Sequence, residues 1–301
     1  MRKRKMNLLL RFTGLIALIA SVSGKVWAEK PINIAMTAAF VSEHGVDIYA
    51  DISEYIAQKT KIETDFVTGL SYSAVNAMVE EGEAEIAFIC GYPYISLHDD
   101  KEVSPVKLLV APIMKSPLYE GKPKYYSYVI THKDSTARSF EDLRGKTWVY
   151  NDVTSNSGYN MPRAKLVDMG ETDGFFGKIL HSGAHEESIR MVAEGQAFAS
   201  AVDSLVLDYA RAEGEDFAYD VKIIERLGPA GAPPVVHSHA LSSEKSAKIQ
   251  KALVDMHNDP EGREILDRAY VDRFVIVDDS NYDDVRAMHR KAVEANFMTV
   301  K

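Results

Sequence analysis

Short apolar, strand-like runs alternate with segments of helical spacing along most of this chain, and that alternation limits its possible folds more than any other feature. Ile32 to Met36 reads as a strand, and Val46 to Gln58 follows with apolar residues three and four apart. Ile62 to Val67 alternates, Tyr72 to Glu81 is helical, and Glu85 to Cys90 is a short apolar strand. The pattern resumes with a strand at Trp148 to Tyr150, a helix from Ser157, a strand at Lys178 to His181, a helix from His185 and a strand at Ala199 to Val202. Strands taking turns with helices predict α/β units around mostly parallel sheets. Lys245 to His257, Pro260 to Ala269 and Tyr282 to Asn296 read as helices that pack back on the first unit.

Residues 1–28 have the form of a secretory signal peptide: a basic start at Arg2 to Lys5, an apolar run from Leu8 to Ala20, and small-residue cleavage after Val26-Trp27-Ala28. The apolar run is shorter than the roughly twenty residues of a spanning helix. No cysteine sits near the cleavage point, so the mature protein is expected free in the periplasm. Roughly 270 mature residues exceed one ordinary core, so two lobes are expected. With no repeat or low-complexity linker in view, the expected design is two α/β lobes joined by two crossing segments, with a ligand cleft between them. The crossings fall near Tyr125 to Thr131 and Leu227 to Val236. One lobe is then residues 29–127 plus 231–301, and the other is 128–230.

Cleavage would remove six positive charges and no acidic ones, taking the formal charge from −9 to −15. So acidic a surface excludes general nucleic-acid binding, which needs Lys and Arg to neutralise phosphates. An anionic ligand would have to be caught by local dipoles and hydrogen bonds against a repelling global field. Such a local site is visible. Asp152-Val153-Thr154-Ser155-Asn156-Ser157-Gly158 gathers hydroxyl and amide side chains at a strand-to-helix junction, where the first helical N–H groups lack partners within the helix. About thirty residues on, Ser182-Gly183-Ala184-His185 forms a second turn opening a helix. Ser155, Asn156 and Ser157 carry donors, the backbone at Ser157 and Gly158 adds more, and His185 adds another. Beside an anion, the protonated form of His185 would be favoured. Cys90, the only cysteine, lies in an apolar run and reads as a small buried hydrophobe.

These stretches resemble the phosphate, phosphite and phosphonate-binding proteins of ABC importers (the PhnD type), which have a Ser-Thr-Ser-Gly turn and a later Gly-x-His turn. The first appears here as Ser155-Asn156-Ser157-Gly158, with Asn156 replacing the usual threonine, and the second as Gly183-Ala184-His185. The likeness extends through Ala193 to Gln196, Val202 to Ser204, Tyr72, Glu85 to Ala87 and Lys133 to Ser135. It implies a bilobal type 2 periplasmic binding protein fold. By the same resemblance His185 is the ligand histidine, and Tyr72 and Tyr125 are tyrosines that contact the anion. Asp203 is counted with the site. Ser182 and Ser188 are more distant candidates, as are Tyr92 and Tyr94.

The resemblance also implies a role: a monomeric solute-binding component that delivers a small phosphorus oxyanion to an inner-membrane permease, with no cofactor and no metal. Relatives that take aminoalkyl phosphonates pair the amine with carboxylates. The matching positions here are Leu205 and a place near Pro233, so phosphate, phosphite or methylphosphonate is expected, unless Asp203 or Glu187 reaches the ligand. Three alternatives stay open: another oxyanion such as a sulfonate, presentation of the ligand to a sensor kinase, and a serine hydrolase built on Ser157, His185 and Asp203. The hydrolase has no Gly-x-Ser-x-Gly elbow behind it. His237 and His239 alternate on one strand face, but no carboxylate or cysteine cluster accompanies them.

Overall fold

A computed structural model of the chain describes residues 30–37 and 45–300. The expected signal peptide, residues 1–28, lies outside the described residues. In chain order the first elements are β1 (Ile32–Thr37), α1 (Val46–Thr60), β2 (Thr64–Leu70), α2 (Tyr72–Glu81), β3 (Ile86–Phe88), α3 (Gly91–Asp99) and β4 (Val106–Met114). Next come β5 (Lys124–His132), β6 (Thr147–Tyr150), α4 (Met161–Asp168), β7 (Lys178–His181), α5 (His185–Ala193), β8 (Ala199–Asp203), α6 (Ser204–Ala212), α7 (Asp216–Tyr219) and β9 (Val221–Gly231). The chain closes with β10 (Val235–Ser238), α8 (Ser243–Asp255), α9 (Pro260–Arg268), β11 (Val271–Val275) and α10 (Asp283–Glu294).

The strands form two sheets, ordered β11-β4-β10-β3-β1-β2 and β7-β6-β8-β5-β9. Each repeats one plan. In the first, β1 lies parallel between β2 and β3, and β10 then runs antiparallel to β3. In the second, β6 lies parallel between β7 and β8, and β5 runs antiparallel to β8. The sheets are therefore mixed, where periodicity alone suggested mostly parallel ones. Hydrophobic spacing reports that a segment is a strand, not its direction. Parallel neighbours need a crossover, usually helical; β5 and β10 instead enter from the other sheet, through residues 115–123 and 232–234.

Period-two alternation puts successive strand residues on opposite faces. Ile32, Ile34 and Met36 of β1 join Ile86 and Phe88 of β3 in a core under α1, which contributes Ile48, Ile52 and Ile56 at four-residue spacing. In the second sheet, Tyr128, Ile130, Val149 and Val202 pack with Ile189 and Val192 of α5. The opposite faces supply Ala35, Ala87, Val129, Trp148 and Ala201 to one apolar cluster that runs through both sheets. Ion pairs reinforce this junction: Lys124 reaches Asp284 at 2.7 Å, and Lys291 reaches Asp168 at 2.6 Å. Among the described residues, no helix is long and apolar enough to cross a membrane.

Candidate oxyanion site

The candidate residues collect where strands of both sheets end. After β6 the chain makes a tight turn in which Asp152 accepts from the N–H of Thr154 at 2.8 Å and from its hydroxyl at 2.6 Å. Ser155 then caps the next element: its Oγ accepts from the N–H of Gly158 at 3.0 Å. A single π turn follows over Asn156–Asn160, before α4 begins with Pro162 in its first turn. Gly158 is required here by close approach, since a Cβ on it would sit 1.8 Å from Asn151 Oδ1. Gly183 meets a different demand. It has φ +89°, a conformation that glycine adopts without strain, at the turn leading into His185.

The residues named from sequence lie together. Ser155, Asn156 and Ser157 have no exposed surface, and His185 and Asp203 are 1% exposed. His185 Nε2 lies 3.4 Å from Ser155 Oγ and 3.3 Å from Ser157 Oγ. Its Nδ1 accepts from the backbone N–H of Asp203 at 3.3 Å, which leaves the ring proton on Nε2, facing the serines. The expected imidazolium is not the form this chain favours on its own, because burial pulls the His185 pKa down to about 3. At neutral pH His185 is a neutral donor.

The two tyrosines are oriented as donors. Tyr72 OH accepts from Asn151 Nδ2 at 2.8 Å, and Tyr125 OH accepts from Asn156 Nδ2 at 3.0 Å. Each hydroxyl thereby keeps its own proton to give. Burial, the largest influence, pushes both phenols well above their ordinary range, so they stay protonated. Asp203 has a split role. Its Oδ1 caps α6 by accepting from the N–H of Leu205 at 2.8 Å, while its Oδ2 is buried with no partner. Desolvation raises this carboxyl to about 8, which makes it a neutral acid at pH 7, able to donate from Oδ2. Several uncharged donors thus converge in a water-poor place, an arrangement suited to holding an oxyanion against an acidic surface.

Two participants were not legible in the sequence as site residues. Asn151, directly after β6, is the partner of Tyr72. Cys90, just after β3, is buried as expected, and its Sγ also accepts from the Asn156 N–H at 3.3 Å. Both sit beyond the carboxyl end of a strand, where ligands bind in open α/β sheets, and that rule was the available signal. Other candidates lie apart. Ser182 and Ser188 bond each other at 2.7 Å, Tyr94 donates to Asp279 at 2.7 Å, and Glu187 is exposed on α5. Tyr92 joins Arg163 and His289 in a half-buried network that reaches Asn156 only indirectly, through Arg163 and Asn160. His237 Nδ1 donates to its neighbour's carbonyl, on Ser238, at 2.9 Å. No group of three His, Cys, Asp or Glu suited to a metal occurs among the described residues.

Two mixed α/β lobes, joined by two passages of the chain and carrying a donor-rich site at their strand ends, define a type 2 periplasmic binding protein. The chain belongs to the family described as "ABC transporter, phosphonate, periplasmic substrate-binding protein", whose model matches residues 34–282. It is 24% identical over 153 residues to the phosphonates-binding periplasmic protein of Escherichia coli. That match covers 50% of this chain and spans 45% of the relative's length. Among solved structures it resembles a binding protein component of an ABC phosphonate transporter from Pseudomonas aeruginosa, with TM-score 0.79 and 18% identity, covering 91% of this chain and 90% of the other. It also resembles PhnD1 from Prochlorococcus marinus in complex with methylphosphonate, with TM-score 0.76 and 14% identity, covering 88% and 99%. At these identities the structures establish a shared fold.

Proposed function

We propose that this chain is the periplasmic solute-binding component of an ABC importer and holds a small phosphorus oxyanion between its two lobes. The observation that carries this reading is the convergence of Ser155, Ser157, His185 Nε2–H and the hydroxyls of Tyr72 and Tyr125 around the Asn156–Asn160 turn. Hydrogen bonds to a charged acceptor contribute roughly 1.5–3 kcal/mol each. Four or five of them offset the cost of stripping water from a phosphonate. Contacts available only when both lobes reach the ligand would bias an open–closed equilibrium, and the closed monomer would then deliver its cargo to a membrane permease.

The serine-hydrolase wiring does not fit. A triad needs the histidine Nδ1–H to donate to the carboxylate, yet His185 Nδ1 accepts from the Asp203 backbone while the Asp203 carboxyl caps Leu205. The test is calorimetric titration of residues 29–301, freed of bound ligand, with phosphate, phosphite, methylphosphonate, 2-aminoethylphosphonate, sulfate and taurine. Tight binding of a phosphorus oxyanion supports the proposal. Binding of taurine or sulfate in preference, or of nothing in the panel, refutes it.

A further inference from the structure

Arg163 of α4 is 2% exposed, and none of its hydrogen-bond partners is a carboxylate. Its Nη1 donates to the Met298 carbonyl at 3.2 Å, while Nη2 lies 3.2 Å from Tyr92 OH, 3.2 Å from His289 Nδ1 and 3.1 Å from Asn160 Oδ1. No donor of the oxyanion site bonds this buried cation directly, yet a row of amides leads from it to one of them. A guanidinium donates and never accepts, so Asn160 must turn its oxygen toward Arg163 and its NH2 away. That NH2 meets Asn156 Oδ1 at 3.0 Å, and the carbonyl of Val285, at 3.3 Å, holds it in the same sense. With its oxygen so engaged, Asn156 presents its own NH2 to Tyr125 OH at 3.0 Å. Every link points the same way, from the cation to the phenol.

We infer that Arg163 is a positioning residue for the oxyanion site: through Asn160 and Asn156 it sets the direction of the Tyr125 hydroxyl and keeps that hydroxyl's proton for the ligand. This rests on the oxyanion reading above and deepens it. An asparagine amide turned end for end has almost the same shape, so packing alone does not choose between its two orientations. Reversed, Asn156 would offer its oxygen to Tyr125, and the phenol proton would go to that oxygen instead of the ligand. Asn156, Asn160 and Tyr125 have no exposed surface, so a reversed amide would find no bulk water to satisfy it. The orientation therefore has to be imposed from within the protein, and Arg163 is the member of the row that can act only as a donor.

The experiment is a double-mutant cycle on binding, read by calorimetry at pH 7. Its ligand is whichever of phosphate, phosphite, methylphosphonate and 2-aminoethylphosphonate the parent binds most tightly. Tyr125→Phe removes the hydroxyl and should weaken binding by the parent about 10- to 100-fold. Arg163→Met keeps much of the side chain's length and removes its donors. In that background Tyr125→Phe should cost about threefold or less, because the hydroxyl proton is no longer held for the ligand. A purely structural Arg163 would leave the effect of Tyr125→Phe unchanged. An equal effect in both backgrounds therefore overturns the inference, as does a Tyr125→Phe protein that binds like the parent, and the oxyanion reading survives either result. If the parent binds none of the four compounds, both fail. Asn160→Asp supplies a second cycle: its carboxylate still accepts from Arg163 but has no hydrogen for Asn156, so the Tyr125→Phe effect should again collapse, and an undiminished effect counts against the inference. Should neither Arg163→Met nor Asn160→Asp fold, NMR of the ligand-bound parent decides. Cross-relaxation from the Asn156 side-chain NH2 should then be stronger to the Tyr125 ring than to the Asn160 NH2, and the reverse order overturns the inference.

Discussion

Replacing Asp203 by asparagine tests the electrostatic design of the site. In the unfolded chain this carboxyl titrates near 3.8, whereas burial holds it at about 8 in the folded protein. The folded state therefore takes up a proton that the unfolded state releases at neutral pH. The stability associated with this group is fully present below 3.8 and is lost as pH rises through about 8. At about 1.4 kcal/mol per pH unit, the interval from 3.8 to pH 7 costs the fold up to about 4 kcal/mol. Relaxation and water entry lower that ceiling. Asparagine keeps an oxygen to accept from Leu205 N–H, keeps a donor where Oδ2 stands, and never ionises. Asp203→Asn should thus stabilise the ligand-free protein by about 2–4 kcal/mol at pH 7 and by about 1 kcal/mol or less at pH 4.5. Urea unfolding of parent and variant between pH 4.5 and 8.5 reads this directly, since every other group cancels in the difference. A difference that does not grow with pH, or a variant less stable than the parent at pH 7, would mean that Asp203 is ionised in the fold and is not a donor.

Three further tests probe the same constellation. Ser157→Ala should weaken methylphosphonate binding by about 1.5–3 kcal/mol in calorimetry, with the thermal midpoint nearly unchanged; equal affinities would remove Ser157 from the site. His185 should stay neutral from pH 8 down to pH 5 in the ligand-free protein, with its proton on Nε2 in nitrogen-resolved NMR. Its lowered pKa, about 3 against an ordinary 6.5, means its contribution to stability is present above 6.5 and is lost as pH falls, so a ring titrating near 6.5 would contradict the burial assigned to it. Gly158→Ala should drive Asn151 off Tyr72, costing about 1–3 kcal/mol of stability and much of the binding; a variant that binds and melts like the parent would show that the close approach is not needed.

The amino-acid pattern went a long way here, and its failures are instructive. Ser155 to Gly158 and His185 were visible because polar residues at a strand-to-helix junction have few other reasons to cluster. The helix at Tyr72 to Glu81 followed from spacing, and in the structure Ser71 caps it, its hydroxyl accepting from Ala74 N–H. Strand direction was not visible, since alternation looks the same whichever way a strand runs. Asn151 and Cys90 escaped for another reason: their partners, Tyr72 and Asn156, lie 79 and 66 residues away and meet them only when the two sheets come together. The protonation of His185 escaped because it depends on how much water remains around the ring, which composition does not report.

Cys90 is the only cysteine in the chain, and its sulfur sits against the backbone of the opposite half. Burial pushes the thiol up to about 11, so as it stands it is a poor nucleophile. An alkylating reagent should reach it only during the fraction of time the halves are parted. Its labelling rate is then a stopwatch for that parting, built in and needing no engineered probe. A cargo that holds the halves together should slow the stopwatch in proportion to its occupancy.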